Sequence, residues 1–305
     1  MADLISNPPP WPNGARCAVA ITFDVDSDSF VHIAEPARAH RLVCTTSWAR
    51  YDDVAIPRLV EIFRRYGIHQ TFFFPGWCME RYPHLVEAVL AGGHEVGLHG
   101  YLHELANTLP KEREAELLQR GIEVAQRVTG RRPTGWRAPL YSYSEHTTEL
   151  IARAGFKYDS SLMGDDVPYL LESPAGEVVE LPLHDASDDW PQYAENWDLG
   201  YHASIRPPEK GIETFVAEFE AAWENRGMWI SVWHPFVSGR LSRAVQVAKM
   251  IERMQLKGGV WFATLDQIAD HIRAVSDAGT YQPRRVAMPY FDRPVAELVQ
   301  VLGPG

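Results

Sequence analysis

The chain has 305 residues, of which 46% are hydrophobic and 23% charged, a composition typical of a globular protein that can bury a sizeable core. The formal net charge is −11 and no stretch is rich in lysine and arginine, so we expect no nucleic-acid or anionic-membrane partner. Three widely spaced cysteines (Cys17, Cys44 and Cys78) without a CxxC motif exclude a disulfide framework and indicate a reducing compartment.

The beginning of the chain favours a cytoplasmic protein. Residues 1–12 have neither a basic segment nor the apolar core of a signal peptide. No apolar stretch in the sequence is long enough to cross a bilayer. We therefore expect a cytoplasmic protein with no membrane partner, acting on a small-molecule or saccharide substrate.

Predicted strands and helices alternate along the chain. A nearly continuous apolar run at Cys17–Phe23 predicts a strand buried on both faces, and apolar residues at helical spacing predict a helix over 52–66. Further strands are predicted at 70–74, 95–98, 135–137, 157–159, 177–183, 228–233 and 260–262. Further helices are predicted at 83–91, 110–129, 145–155, 212–226, 241–257 and 265–276.

This alternation predicts an α/β fold with a parallel sheet. With roughly seven strand–helix units and no GxGxxG fingerprint, an irregular (β/α) barrel of seven or eight strands is favoured over an open dinucleotide-binding sheet. We predict one catalytic barrel over residues 1–278, with an N-terminal extension at 1–15. Residues 279–305 are expected to form a tail that packs on the barrel or on a neighbouring subunit, which favours a homo-oligomer.

Reactive side chains follow four of the predicted strands. Asp24 and Asp26 follow the first strand, His-Gly-Tyr-Leu-His (99–103) the third, Arg137 the fourth and His234 a later one. Each feature alone has a structural explanation, such as a solvated turn, a surface histidine pair or a core histidine. Because strand ends meet at one face of a parallel barrel, their joint occurrence there favours an active site.

The histidine spacing predicts a metal site. His99 and His103 are four residues apart, so on a helical turn they would share a face and bind one cation through neutral imidazole nitrogens. A carboxylate from another strand would complete the set and leave positions open for water and substrate. Two imidazoles and a carboxylate predict a divalent metal. Zn²⁺ is the first choice, and Co²⁺, Ni²⁺ and Mn²⁺ are the alternatives.

The remaining groups suit the hydrolysis of an amide. A metal lowers the pKa of its water, and a second carboxylate beside it can take the proton from that water. An arginine close to this base would keep it ionised. A histidine across the site could protonate the departing nitrogen.

Five segments resemble motifs of the polysaccharide deacetylase family, the NodB-homology hydrolases of carbohydrate esterase family 4. They lie in order between Thr22 and about Leu265, at 22–26, 93–103, 135–141, 158–162 and 233–235. The resemblance implies a seven- or eight-stranded irregular barrel. It assigns the residue roles as follows: Asp24 as catalytic base, Asp26, His99 and His103 as metal ligands, Arg137 as the residue that orients Asp24, and His234 as general acid.

The resemblance also implies substrate-binding residues. The backbone N–H of Leu140 would stabilise the oxyanion, and Tyr141 and Trp190 would contact the substrate. Aromatic residues near the expected mouth could close over a ring, stack on a sugar or pack in the core; these are Trp48, Trp136, Tyr141, Trp190 and Tyr193.

Three departures from the family motifs concern the substrate. Val25 separates the two aspartates, Gly100 replaces a serine or threonine, and Leu140 stands between Pro139 and the tyrosine. These features resemble an intracellular branch with allantoinase-like, cyclic imide hydrolase and peptidoglycan-deacetylase-like members. The predicted hydrolase therefore acts on an N-acetyl group or on a small cyclic amide or imide. The alternative is a metal-free or catalytically inactive ligand-binding member of the same fold.

Overall fold

The computed structural model of the protein describes residues 4–202, 204–291 and 293–295. The strands are β1 (Cys17–Asp24), β2 (Thr71–Phe74), β3 (Glu95–Leu98), β4 (Gly135–Trp136), β5 (Tyr158–Asp159), β6 (Tyr169–Ser173), β7 (Gly176–Glu180), β8 (Met228–Trp233), β9 (Val260–Phe262) and β10 (Arg285–Ala287). The helices are α1 (Ser29–Ala34), α2 (Val43–Ala49), α3 (Asp52–Tyr66), α4 (Gly76–Arg81), α5 (Pro83–Ala91), α6 (Lys111–Thr129), α7 (Thr147–Ala154), α8 (Trp190–Tyr193), α9 (Pro208–Glu224), α10 (Pro235–Ser238), α11 (Leu241–Lys257) and α12 (Leu265–Asp277).

Seven parallel strands form an irregular barrel. They lie in the order β8, β1, β2, β3, β4, β5, β7, and β1 pairs with β8 from Ala18 to Phe23. A parallel bridge between Asp188 and Val232 joins the chain after β7 to β8 and closes the circuit. The α/β barrel predicted from the alternation of strands and helices is confirmed.

Side chains of β1 alternate between two parts of the core. Val19, Ile21 and Phe23 pack against the surrounding helices, whereas Ala18 and Ala20 pack in a second cluster that includes residues of α12. Successive side chains of a strand point to opposite faces, so Asp24 has the same orientation as the two alanines. The strand's own periodicity therefore directs Asp24 to the face opposite the outer helices.

Strands β6 and β10 were not predicted. β6 forms an antiparallel hairpin with β7, and β10 pairs in parallel with β6, so both lie outside the seven-stranded circuit. The tyrosine Tyr281 donates a hydrogen bond to Pro168 O (2.8 Å), next to the start of β6. The described part of the predicted tail thus packs on this hairpin; residues 296–305 lie outside the described residues.

The long predicted elements agree with the structure, and the short helices were missed. Predicted helices 52–66, 83–91 and 241–257 have the observed bounds. Five helices of four to seven residues were not predicted: α1, α2, α4, α8 and α10. A helix of one or two turns is too short to show apolar periodicity. Two of these helices, α1 and α8, supply walls of the site described below.

The N-terminal extension packs on the barrel from residue 4 onward. Trp11 is buried, and its indole N–H donates to Arg226 O (3.0 Å). Across the described ranges, no helix has the length and apolar character needed to cross a lipid bilayer.

Candidate active site

The predicted reactive residues converge at the carboxyl ends of the barrel strands. Asp24 is the last residue of β1, and His99, Arg137 and His234 directly follow β3, β4 and β8. The backbone pairing continues for one residue beyond two of these strands, because His99 N donates to Phe74 O (2.9 Å) and Arg137 N donates to Leu98 O (3.0 Å). These bonds fix the backbone from which the side chains project into the site.

Asp26, His99 and His103 place three ligand atoms close together. Asp26 Oδ1 lies 3.5 Å from His99 Nε2, and Asp26 Oδ2 lies 3.3 Å from His103 Nε2. All three side chains are buried. One ligand atom from each residue lies within 4.8 Å of the other two. The structure thus brings together the three residues predicted to bind a metal.

The chemistry of this set fits a divalent cation. Ligand atoms that surround Zn²⁺ tetrahedrally at about 2.0–2.1 Å are separated by about 3.3 Å, close to the observed spacings. Asp26 Oδ1 is buried and has no hydrogen-bond partner among the described residues. His99 Nδ1 lies 2.8 Å from Arg137 O and can only donate to that carbonyl, which leaves the Nε2 lone pair free for a cation.

Charge also favours a cation beside Asp26. Burial raises the pKa of the Asp26 carboxyl, but the nearby imidazoles of His103, His234 and His99 lower it more, so the net shift is downward. For His99, burial lowers the pKa more than the two aspartates raise it. An ionised carboxylate beside a neutral imidazole is the protonation state in which both groups can act as metal ligands.

The turn that carries His103 is not helical, and this part of the prediction was wrong. Residues 99–103 form an irregular turn in which Gly100 (φ 69°) and His103 (φ 61°) have left-handed backbone conformations. The Glu104 carboxylate accepts hydrogen bonds from Tyr101 N (2.9 Å) and Leu102 N (2.6 Å). These local bonds compete with a helix and return His103 towards His99 by a different path.

Arg137 is a fully buried cation that anchors Asp24. Its Nη1 donates to Asp24 Oδ1 (2.7 Å) and to Thr22 Oγ1 (2.7 Å). Its Nε donates to Ser160 O (2.9 Å), and Nη2 donates to Ser160 Oγ (3.1 Å). With Oδ1 held by Arg137, Asp24 Oδ2 lies 3.7 Å from His99 Nε2, beside the predicted metal ligands.

His234 is held by Asp189, a residue to which the sequence analysis assigned no role. His234 Nδ1 donates to Asp189 Oδ1 (2.7 Å), and Asp189 Oδ2 accepts from His234 N (3.0 Å). Burial lowers the pKa of His234, but Asp189 raises it more, and the net effect raises the pKa to about 10. His234 Nε2 lies 3.5 Å from Asp26 Oδ2, so the imidazole faces the predicted metal ligands.

One cavity of about 400 Å³ opens onto these groups. Asp24, Asp26, His99, His103 and His234 line its floor. Its walls are mostly apolar and include Phe30, Ile33, Leu105, Leu140, Trp190 and Leu199. The cavity therefore combines a polar reactive floor with walls that suit a compact, weakly polar ligand.

The three predicted substrate-binding residues all line this cavity. Leu140 and Tyr141 have positive φ values of 49° and 54°, which are unusual for residues other than glycine and mark local strain at the site. The Tyr141 hydroxyl is not free, because it donates to Asp188 Oδ2 (2.6 Å). Trp190 lies in α8, and its ring centroid is 5.3 Å from that of His234.

Three aromatic residues considered for the mouth do not line the cavity as the structure describes it. Trp136 is buried against Phe156, and Tyr193 is buried with its hydroxyl donating to Pro208 O (2.9 Å). Trp48 packs behind Trp190, with ring centroids 5.6 Å apart. Of the three, Trp48 contacts a residue that lines the cavity, Trp190.

Two adjacent acids, Asp188 and Asp189, lie at the site although the sequence assigned them no role. Asp188 lines the cavity, and burial raises the pKa of its carboxyl to about 6. Asp189 N donates to Val232 O (3.1 Å), which places Asp189 beside the end of β8. A pair of acids directly before a tryptophan, after a predicted strand, is the sequence signal that could have identified them.

Comparison with known proteins identifies relatives over most of the chain. A family model described as polysaccharide deacetylase matches residues 14–158. A peptidoglycan deacetylase of Helicobacter pylori is 31% identical over 246 residues, which cover 72% of this chain and 83% of the relative.

Solved structures have the same fold. A Mycobacterium smegmatis protein named for the polysaccharide deacetylases is 39% identical, with a TM-score of 0.87, and the match covers 94% of this chain and 99% of that one. The allantoinase Puue is 22% identical with a TM-score of 0.76, covering 88% and 95% of the two chains, and it supports the fold alone.

Proposed function

The chain belongs to the polysaccharide deacetylase family, and from that premise we propose that it is a divalent-metal-dependent hydrolase of a carbon–nitrogen bond other than a peptide bond. The bond is the amide of an N-acetyl group or of a small cyclic amide or imide. One observation carries this proposal: the imidazoles of His99 and His103 and the carboxylate of Asp26 meet in a single cavity. Asp26 Oδ1 has no hydrogen-bond partner among the described residues, and Asp24 and His234 line the same cavity.

Asp26, His99 and His103 would hold the metal. When bound there, a divalent cation lowers the pKa of a water molecule and polarises the substrate carbonyl. Zn²⁺ suits two imidazoles and a carboxylate, and Co²⁺, Ni²⁺ and Mn²⁺ are accommodated by the same donor types.

Asp24 is the proposed general base. Arg137 holds one of its oxygens at 2.7 Å and leaves the other beside the ligand set, 3.7 Å from His99 Nε2. A base in this position can accept a proton from the attacking water as the water oxygen bonds to the carbonyl carbon. The four hydrogen bonds of Arg137 keep the carboxylate in one orientation.

His234 is the proposed general acid. Asp189 accepts the Nδ1 proton, so Nε2 is the nitrogen that faces the cavity floor. A protonated imidazole there can give its Nε2 proton to the departing nitrogen as the C–N bond breaks, and an amine leaves more easily than its anion. The Leu140 N–H, at the strained turn after Pro139, is the proposed oxyanion donor.

Metal analysis gives the first test of this proposal. Protein purified without added metal should contain a divalent ion, and dialysis against a chelator should remove both the ion and the activity. His99→Ala should lose metal and activity together. His84→Ala is a matched control, because His84 is half-exposed on α5 and lies outside the cavity lining.

The role of Asp24 is tested separately from metal binding. Asp24→Asn should retain the metal and lose turnover by about 10²-fold or more, the typical contribution of a general base. Asp185→Asn, a change on an exposed residue outside the cavity, should behave as wild type. Activity of Asp24→Asn close to that of wild type would remove Asp24 from the role of base.

An activity panel tests the bond type and the substrate. It compares N-acetylated chito-oligosaccharides with hydantoins, allantoin and succinimide-type imides. Two results together would favour the ligand-binding alternative. The zinc-loaded protein would turn over none of these compounds, and the protein as purified would contain no metal. The cytoplasmic location, the homo-oligomer and the domain boundary at residue 278 stay predictions.

A further inference from the structure

We propose that Asp188 is a specificity-determining residue that accepts a hydrogen bond from an N–H group of a small uncharged amide substrate. The inference rests on the proposed function, because it concerns the substrate of the same cavity. It adds a recognition group to a site in which Asp26 is a proposed metal ligand, Asp24 is the proposed base and Asp189 is the partner of His234.

The carboxylate of Asp188 is fixed by two hydrogen bonds. Oδ2 accepts from Tyr141 OH (2.6 Å), and Oδ1 accepts from Trp190 N (2.8 Å). A carboxylate has about four acceptor positions, so about two stay available. Since Asp188 lines the cavity, these positions can receive a donor from the ligand.

The surroundings of Asp188 favour an uncharged ligand with a donor group. Among the described residues that line the cavity there is no lysine or arginine, three are aspartates (Asp24, Asp26 and Asp188), and the imidazole of His234 is already paired with Asp189. A carboxylate on the substrate would meet repulsion there, away from any metal. An N–H group would instead form a charge-assisted hydrogen bond, the stronger kind.

Tyr141 acts on specificity through Asp188. Its hydroxyl is donated to the carboxylate, so it has no second proton to offer a ligand. The positive φ of Tyr141 and of its neighbour Leu140 brings this hydroxyl from the turn after β4 to the segment after β7. The residue therefore orients the recognition group and supplies part of the cavity wall.

The apolar walls explain why a small amide is favoured over a saccharide. Phe30, Ile33, Leu105 and Leu199 offer no hydrogen-bonding side chains to the hydroxyl groups of a sugar. A buried hydroxyl that lacks a partner is costly, whereas a compact amide has few polar atoms to satisfy. One anionic acceptor beside a reactive floor matches such a ligand.

The test compares succinimide with N-methylsuccinimide, which lacks the N–H group. Binding is measured by calorimetry on the zinc-loaded Asp24→Asn protein, with and without a second Asp188→Asn change, so that turnover does not interfere. Catalytic efficiency with the same two probes is measured on zinc-loaded wild type and on Asp188→Asn. Asp185→Asn is the matched control, since this exposed acid lies three residues earlier and outside the cavity.

We expect the Asp188-containing proteins to prefer succinimide by about 10- to 100-fold, the range of one hydrogen bond to a charged group. Asp188→Asn should reduce this preference to a few-fold, while Asp185→Asn keeps it. The change in the ratio is diagnostic, because a purely structural role would weaken both probes equally.

Several outcomes would overturn the inference. These are a ratio near one in wild type, the same ratio in Asp188→Asn, and no binding of either probe. N-acetylated chitotriose could instead bind more tightly than succinimide in a way that depends on Asp188, with equal affinity for succinimide and N-methylsuccinimide. This result would assign the hydrogen-bond donor to a sugar hydroxyl and would also overturn the inference. Binding with the expected ratio but no turnover would refute the proposed hydrolase and leave the role of Asp188 intact.

Discussion

Gly100 is a position where a single added methyl group should disturb the proposed metal site. Its φ of 69° lies in the left-handed region, and an added Cβ would lie 3.0 Å from Pro139 Cγ and 3.1 Å from Glu104 Oε1. Glu104 holds the turn through the backbone N–H groups of Tyr101 and Leu102. Gly100→Ala should therefore displace the turn that carries His103.

The loss in the free energy of unfolding caused by Gly100→Ala has two parts, which a matched variant can separate. Gly67 has a nearly identical φ of 65°, and nothing lies within 4 Å of its added Cβ. Gly67→Ala should lose only the cost of the left-handed conformation, about 1–2 kcal/mol in the free energy of unfolding. Gly100→Ala should lose that amount and about 1–3 kcal/mol more from overpacking.

The effect on metal binding distinguishes the two variants. Moving a support of a ligand typically weakens metal affinity about 10- to 100-fold, which we expect for Gly100→Ala and not for Gly67→Ala. Urea unfolding of metal-free protein gives the stability difference, and titration of zinc against a chromogenic chelator gives the affinity. Zinc affinity of Gly100→Ala equal to that of Gly67→Ala would refute the link between this turn and His103.

Two further predictions concern buried groups. Asp52 is fully buried; Ser27 donates to its Oδ2 (2.7 Å), and its Oδ1 has no hydrogen-bond partner in the described part of the chain. Burial raises the pKa of the carboxyl to about 8. Because this value lies above the unfolded-state pKa of about 3.9, the contribution of Asp52 to stability is present below about pH 4 and lost as the pH rises towards 8. Metal-free Asp52→Asn should gain stability over wild type between about pH 5 and pH 8 in urea unfolding; a difference that stays constant with pH would contradict this. A further prediction concerns the three cysteines. Burial raises the pKa of the Cys17 thiol to about 12 and that of the Cys78 thiol well above its usual value, whereas Cys44 is exposed. A chromogenic thiol reagent should therefore react rapidly with Cys44 alone. A fast phase that persists in Cys44→Ser would show that a buried thiol is accessible.

Much of the fold follows from local patterns in the sequence. The bounds of β3, β8, α3 and α11 agree with apolar periodicity and end signals alone. Strand β8 and helices α3 and α11 are long or strongly apolar, and each buries a face whose spacing depends only on its own geometry. Strand β6 was missed because it forms a hairpin with β7, which interrupts the alternation of strands and helices on which the prediction relied.

The members of the site were predictable, but the way they are held was not. Asp24, Asp26 and His99 are at or next to strand ends, and every parallel barrel brings its strand ends together. The turn that returns His103 depends on Glu104 and on close contact between Gly100 and Pro139, which no spacing rule contains. Residues 99–103 therefore form this turn instead of the expected helical turn because of contacts made in the folded protein.

The sequence alone determined the α/β barrel and the set of reactive residues, because both depend on periodicity and on residue type at strand ends. The tertiary structure decided which groups support them, Asp189 for His234 and Ser160 for Arg137, and it brought Asp188 and Tyr141 together in the same cavity. Each of these hydrogen bonds joins segments that are 23 to 47 residues apart in the chain. Such partners are chosen by the packing of the whole barrel, which is why only the folded chain identifies them.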